Sequence, residues 1–221
     1  MISIIEISPT WFYNYNIILE MFFAVISGLI SWFGAKAYRI TKKNEAKILS
    51  RAFLFISLSY LLEGVFSWLS IREILNKSSQ IPWSYLLLRT TAIYSHKLFM
   101  LLGLIALFIF TIKEKRKEVF IILTAISILT ISFQNSCWMS FFLLNTIFLL
   151  FISQYYLKNY MRRKNLASLL TSCAFILMTL ANITLAISIE NPILYVPSQC
   201  LNLGAYTALL TNLYIILKAR K

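Results

Sequence analysis

The sequence predicts an all-α membrane protein: a bundle of seven transmembrane helices with the N-terminus outside the cytoplasm and the C-terminus inside. Three observations lead to this expectation: seven apolar blocks of spanning length, basic residues gathered on alternate loops, and aromatic residues at the block ends. Of the 221 residues, 59% are hydrophobic and 13% charged, with a mean hydropathy of +0.75. A soluble domain carries about a quarter charged residues.

The apolar blocks are Asn16–Ala37, Ser50–Ser70, Thr91–Ile112, Val119–Ser136, Trp138–Leu157, Leu166–Ile187 and Val196–Leu217. Each approaches the ~20 residues that cross a hydrocarbon core as a helix. The first block is long enough to span, and Met1 to Tyr15 contain no Lys or Arg. A cleaved signal peptide needs a basic start, so this block is expected to be a retained helix. Between the second and third blocks, Ile71 to Thr90 form a polar outer loop, and the stretch from Pro82 to Thr90 is expected to start the third helix above the membrane surface. The other connections are short. Residues 1–221 therefore form one domain, with no tail for a catalytic or binding module, and any output is expected to pass through a partner.

The net charge of +13 raises the question of nucleic acid, and its distribution answers it. Lys36, Arg39, Lys42, Lys43, Lys47 and Arg51 lie between blocks one and two or at their facing ends, and Lys113, Lys115, Arg116 and Lys117 between three and four. Lys158, Arg162, Arg163 and Lys164 lie between five and six, and Lys218, Arg220 and Lys221 follow the seventh. These are 17 of the 21 basic residues, all on one predicted side. Cytoplasmic loops carry the Lys/Arg excess, and basic loops suit an anionic inner leaflet. The expected partner is the lipid bilayer and the expected location the plasma membrane, multi-pass, with no nucleic acid. Trp11, Trp68, Trp83, Trp138 and Tyr195 mark outer ends, and Tyr38, Tyr155, Tyr160 and Tyr214 inner ends, as interfacial aromatic belts do.

Charged groups within a bilayer are costly and usually face the bundle interior or a water-filled cavity. At about 1.5 Å per residue, Glu20 lies about 6 Å below the outer end of its block, and Glu63, Lys97, Asn145, Asn182 and Asn202 about 9 to 10 Å. His96 lies one residue above Lys97. Helical offsets of three, four and seven put Asn16 and Glu20, Ser59, Glu63 and Ser67, Arg89 and His96, and Gln199 and Asn202 on single stripes. Glu20, Glu63, Arg89, His96, Lys97, Asn182 and Asn202 are the candidate ligand-binding residues of an outer-half pocket. Glu63 and Lys97, at matched depth on consecutive helices, are expected to pair, leaving a basic group for an anionic or carboxylate ligand. The alternative is an ion pair that only fixes packing. Histidine changes charge near neutral pH, which makes His96 a candidate switch. The Ser residues read as interhelical hydrogen-bond glue.

Other chemistries lack their residues. There is no aspartate, since all eight acids are Glu, so a shared-proton Asp pair is excluded. One histidine gives neither a bis-His haem nor a two-His zinc helix. No P-loop or Gly-x-Ser-x-Gly elbow occurs. No enzyme activity, metal or cofactor is expected. Cys137, Cys173 and Cys200 have no metal spacing and read as packing residues, although Cys137 and Cys200 lie on the same side.

Ile40 to Ala46 and Met161 to Ala167 share a Lys-Asn step after an aligned basic run. A parallel repeat of three helices, one linker helix and three helices is expected from it, as in some transporter folds. The stretches from Ala35 to Lys43 and from Ala52 to Ser59 resemble seven-helix proteins of prokaryotes, archaeal ones included, and the seven-helix input modules of sensor kinases. The resemblance implies a sensory or scaffolding role. Opsin-like pigments hold retinal on a seventh-helix lysine, and Val196 to Leu217 contain none. The expected function is a sensor or receptor-like module acting on a small-molecule ligand and signalling through a membrane or cytoplasmic protein partner. The alternatives are a small-solute transporter or channel, and a structural subunit of a membrane complex.

Overall fold

The structure is a computed structural model that describes residues 9–42, 44–76, 83–112, 117–132 and 137–218. Among these residues the chain is all-helical, with seven α-helices and no strand. They are α1 (Tyr13–Thr41), α2 (Asn44–Asn76), α3 (Trp83–Ile112), α4 (Lys117–Ser132), α5 (Cys137–Arg163), α6 (Leu166–Ser188) and α7 (Tyr195–Lys218). Most run past the apolar blocks into the flanking charged sequence, because helical backbone satisfies its own hydrogen bonds wherever the membrane ends. The start of α3 at Trp83 agrees with the early start read from the sequence. The loops expected at residues 77–82 and 113–116 lie outside the described residues.

Five helices are long and apolar enough to cross a membrane, over Asn14–Ile40, Ala46–Glu73, Trp83–Ile112, Trp138–Arg163 and Leu166–Ser188. The apolar part of α4 is shorter, Glu118–Thr130. In α7, Gln199, Asn202, Thr207, Thr211 and Asn212 lower the hydropathy. The outward surface is that of a body made for hydrocarbon: Ile18, Val25, Trp32, Leu143, Phe151 and Ile187 are all exposed.

Two basic connections are built alike. Lys42 takes a left-handed φ of 56° and gives its N–H to Tyr38 O at 2.8 Å, which ends α1. Lys164, with φ 47°, does the same toward Tyr160 O at 2.8 Å after α5. The turns thus align Lys42 with Lys164, one residue away from the alignment that the Lys-Asn step gives. α6 then opens on Asn165, whose Oδ1 accepts from Ser168 N at 2.8 Å. Asn165→Ala is expected to lower stability by about 1 kcal/mol, the usual worth of an N-cap, read as a shift in the melting temperature of the purified protein.

Each neighbouring pair in the series α1, α2, α3, α5, α6, α7 and back to α1 is in contact, so six helices close a ring, and α4 lies outside it against α3 and α5. Contact pairs fix the directions. Ser31 and Ser50 exchange hydrogen bonds between α1 and α2, each hydroxyl donating to the other's carbonyl at 2.8 Å, while Ser57 Oγ donates to Ala24 O at 2.7 Å. Small residues of this kind let helices approach closely, and each such bond is worth about 0.6 kcal/mol. Between α2 and α3, a Cβ on Gly103 would sit 2.9 Å from Ala52 O and 2.7 Å from Ile56 Cγ1. Phe108 meets Phe148 at 5.3 Å between α3 and α5, Tyr156 stacks on Phe175 at 4.7 Å between α5 and α6, and Asn212 Nδ2 donates to Thr171 Oγ1 at 2.7 Å between α7 and α6. Neighbours along the chain within each triplet are antiparallel, whereas α3 and α5, and α7 and α1, run parallel. The odd-numbered ring helices therefore all begin at the same end.

Candidate functional site

At that end the ring encloses a cavity of about 70 Å³. All six ring helices contribute to its wall, and α4 contributes nothing. The polar part comes from Asn16 and Glu20 of α1, Glu63 of α2, Arg89 and His96 of α3, Asn145 of α5, Asn182 of α6, and Gln199 and Asn202 of α7. The apolar part is largely aromatic, with Phe23, Tyr60, Trp138, Phe141, Phe142 and Tyr195.

Two hydrogen-bonded chains order the polar groups. In the first, Tyr195 OH donates to Asn16 Oδ1 at 2.6 Å, and Asn16 Nδ2 donates to Glu20 Oε1, which ties α7 to α1. Glu20 Oε2 is buried and has no hydrogen-bond partner. In the second, His96 Nδ1 lies 2.7 Å from Glu63 Oε2, and Ser59 Oγ donates to His96 O at 2.9 Å. Arg89 Nη1 donates to Ser67 Oγ at 2.8 Å, one turn further along α2. Asn182 Nδ2 donates to Met178 O at 3.0 Å within α6. That bond fixes the amide orientation, because a carbonyl oxygen cannot donate to another carbonyl, and Oδ1 is left for the cavity.

Six of the seven residues chosen from the sequence line the cavity: Glu20, Glu63, Arg89, His96, Asn182 and Asn202. Lys97 is not among the lining residues. It is 1% exposed, with its Nζ 4.0 Å from the ring centroid of Trp138. Glu63 makes a 2.7 Å contact with His96, and Lys97, its expected partner from the sequence, acts on it electrostatically. The two are consecutive on α3, so their side chains diverge by about 100°, and matched depth cannot choose between them. Arg89, the basic group on the wall, gives Nη1 to Ser67 Oγ.

Sequence reasoning missed Phe23, Tyr60, Phe141 and Phe142, which look like any other apolar residue in an apolar block. It placed Trp138 and Tyr195 in the interfacial belt, and both line the cavity. Of the Ser residues read as glue between helices, Ser31, Ser59 and Ser67 bond across helices, Ser67 by accepting from Arg89, whereas Ser27 donates within its own helix to Phe23 O at 2.5 Å.

Below the cavity, toward the other end of the bundle, Phe23, Tyr60 and Tyr206 pack ring to ring with centroids 5.1 to 5.9 Å apart. All three are buried and come from α1, α2 and α7. They form a floor. Among the described residues no group of three His, Cys, Asp or Glu side chains is placed to hold a metal ion. Cys173 and Cys200 are free thiols, and the Cys137 side chain lies outside the described residues.

No family model matches the chain, and neither the curated proteins nor the solved structures contain a match to it.

Proposed function

We propose that this chain is a seven-span, receptor-like membrane protein that binds a small polar molecule in a pocket opening to the exterior and signals through a protein partner. The observation that carries the reading is the cavity itself, to which six helices contribute ionisable, amide and aromatic side chains at one level. Buried charge inside a membrane bundle marks functional sites by default. The aromatic floor of Phe23, Tyr60 and Tyr206 favours binding over passage, because it packs across the route inward.

The orientation follows from charge. Lys36, Arg39, Lys42, Lys158, Arg162, Arg163 and Lys218 all belong to the end of the bundle opposite the cavity. The positive-inside rule makes that end cytoplasmic, which puts the N-terminus and the cavity mouth outside, in the plasma membrane. The parallel three-one-three repeat is supported by the ring. A two-fold operation that carries α1 to α5 and α3 to α7 turns the α3–α5 contact into the α7–α1 contact, and both contacts exist and are parallel. The matching Lys42 and Lys164 turns support the same relation.

A cysteine-free variant carrying Asn202→Cys tests the mouth. A membrane-impermeant methanethiosulfonate added to intact cells is expected to modify it, whereas Asn212→Cys reacts only after permeabilisation. Modification of Asn202→Cys from the cytoplasmic side alone would overturn the orientation, and none from either side would overturn the open pocket. One observation favours a transporter: the polar line continues inward along α6 and α7, where Ser172 Oγ and Asn212 Oδ1 are buried without hydrogen-bond partners. Solute uptake into proteoliposomes would decide for that second reading.

A further inference from the structure

We propose that the pocket is selective for a small primary ammonium, a ligand carrying an R–NH3⁺ group or NH4⁺ itself; this deepens the receptor reading and rests on it. Glu20 is 5% exposed, its Oε1 is taken by Asn16, and its Oε2 has no hydrogen-bond partner. A carboxylate oxygen is an acceptor, and a buried acceptor left unmade is costly.

His96 bounds the site on the α3 side, with its Nδ1 2.7 Å from Glu63 Oε2. Asn182 adds a second acceptor, the Oδ1 of an amide whose nitrogen gives one of its two N–H groups to Met178 O. An ammonium has three donors and no acceptor. It complements these groups in a way that a carboxylate or phosphate, which has acceptors only, does not.

The aromatic wall points to the same ligand. Rings attract cations over their faces, and this wall already holds one ammonium, that of Lys97, at 4.0 Å over Trp138 and 5.9 Å from the Phe141 centroid. Size sets the rest of the class. The cavity of about 70 Å³ is roughly half the 150 Å³ that accommodates benzene, so the ligand has only a few heavy atoms beyond the nitrogen.

The test is thermal unfolding of the purified full-length chain in detergent at constant ionic strength, titrated with ammonium, methylammonium, tetramethylammonium or formate. Ligands this small bind at about millimolar concentrations. Methylammonium is expected to raise Tm with saturation in that range, while formate does nothing. Tetramethylammonium, which has the charge without the N–H donors and is larger, is expected to fail as well. Glu20→Gln, which keeps a side chain for Asn16, should weaken the effect at least tenfold. If that variant does not fold, Asn182→Leu, of similar volume without the acceptor, is expected to do the same. A response to formate and not to methylammonium overturns the ligand class and leaves the pocket standing. An equal response to tetramethylammonium overturns the donor argument. No response to any of the four overturns both the class and the pocket, and a methylammonium shift unchanged in both variants overturns the site.

Discussion

Gly103→Val is expected to prevent accumulation of the folded protein in the membrane, and Gly103→Ala to lower its stability by about 1 to 3 kcal/mol, the usual cost of overpacking. The reason is the line of closest approach between α2 and α3. A Cβ at residue 103 would meet the carbonyl oxygen of Ala52 at 2.9 Å and Ile56 Cγ1 at 2.7 Å. Ile56 can turn its side chain, but the Ala52 oxygen belongs to helix backbone and moves only if α2 moves. Moving α2 away from α3 also separates Glu63 from His96, because both contacts lie on one interface. The measurement is the yield of monodisperse protein for the Val variant and the melting temperature for the Ala variant. A Val variant as stable as the parent would mean that the two helices are not this close.

The second large effect is an asymmetry within the buried pair. Glu63→Gln is expected to cost about 3 to 5 kcal/mol, as removal of one partner from a buried charge cluster does. His96→Gln should cost about 1 to 3 kcal/mol, the range for losing a hydrogen bond and leaving its partner unmade. The carboxylate is the hub. His96, Arg89 and Lys97 all bear on Glu63 electrostatically, so its loss leaves two permanent cations in a low-dielectric setting, whereas loss of His96 leaves a carboxylate that still has both cations near it. Chemical unfolding of both single variants and the double variant measures the difference and the coupling between them. Equal costs would sink the hub argument.

Much of the architecture was legible because the bilayer restricts it so strongly. Glu20 and Glu63 in the middle of apolar runs have few places to go besides the interior, and depth along a helix can be counted from its end, so the polar level could be read from spacing alone. Rotation was harder. A single residue step on α3 separates His96, which meets Glu63, from Lys97, which sits on Trp138, and hydropathy does not report an angle of that size. The aromatic half of the wall was not legible. Phe23, Phe141 and Phe142 differ from lipid-facing Phe22 only in which side of the helix they occupy, and both sides of these helices are apolar. Helix α4 is expected from the sequence as the linker between two groups of three, and the contacts add that it lies outside the ring.

That outside position bears on a question of parity. Two groups of three helices joined directly would run in opposite senses, since each group stops at the end of the bundle opposite to where it starts. Here α1 and α5 point in one direction, so the chain has to run the length of the bundle once more between the groups, and α4 makes that run. Its job is reversal. Little else constrains its side chains, so it should tolerate exchange for an unrelated apolar helix far better than any of its six companions.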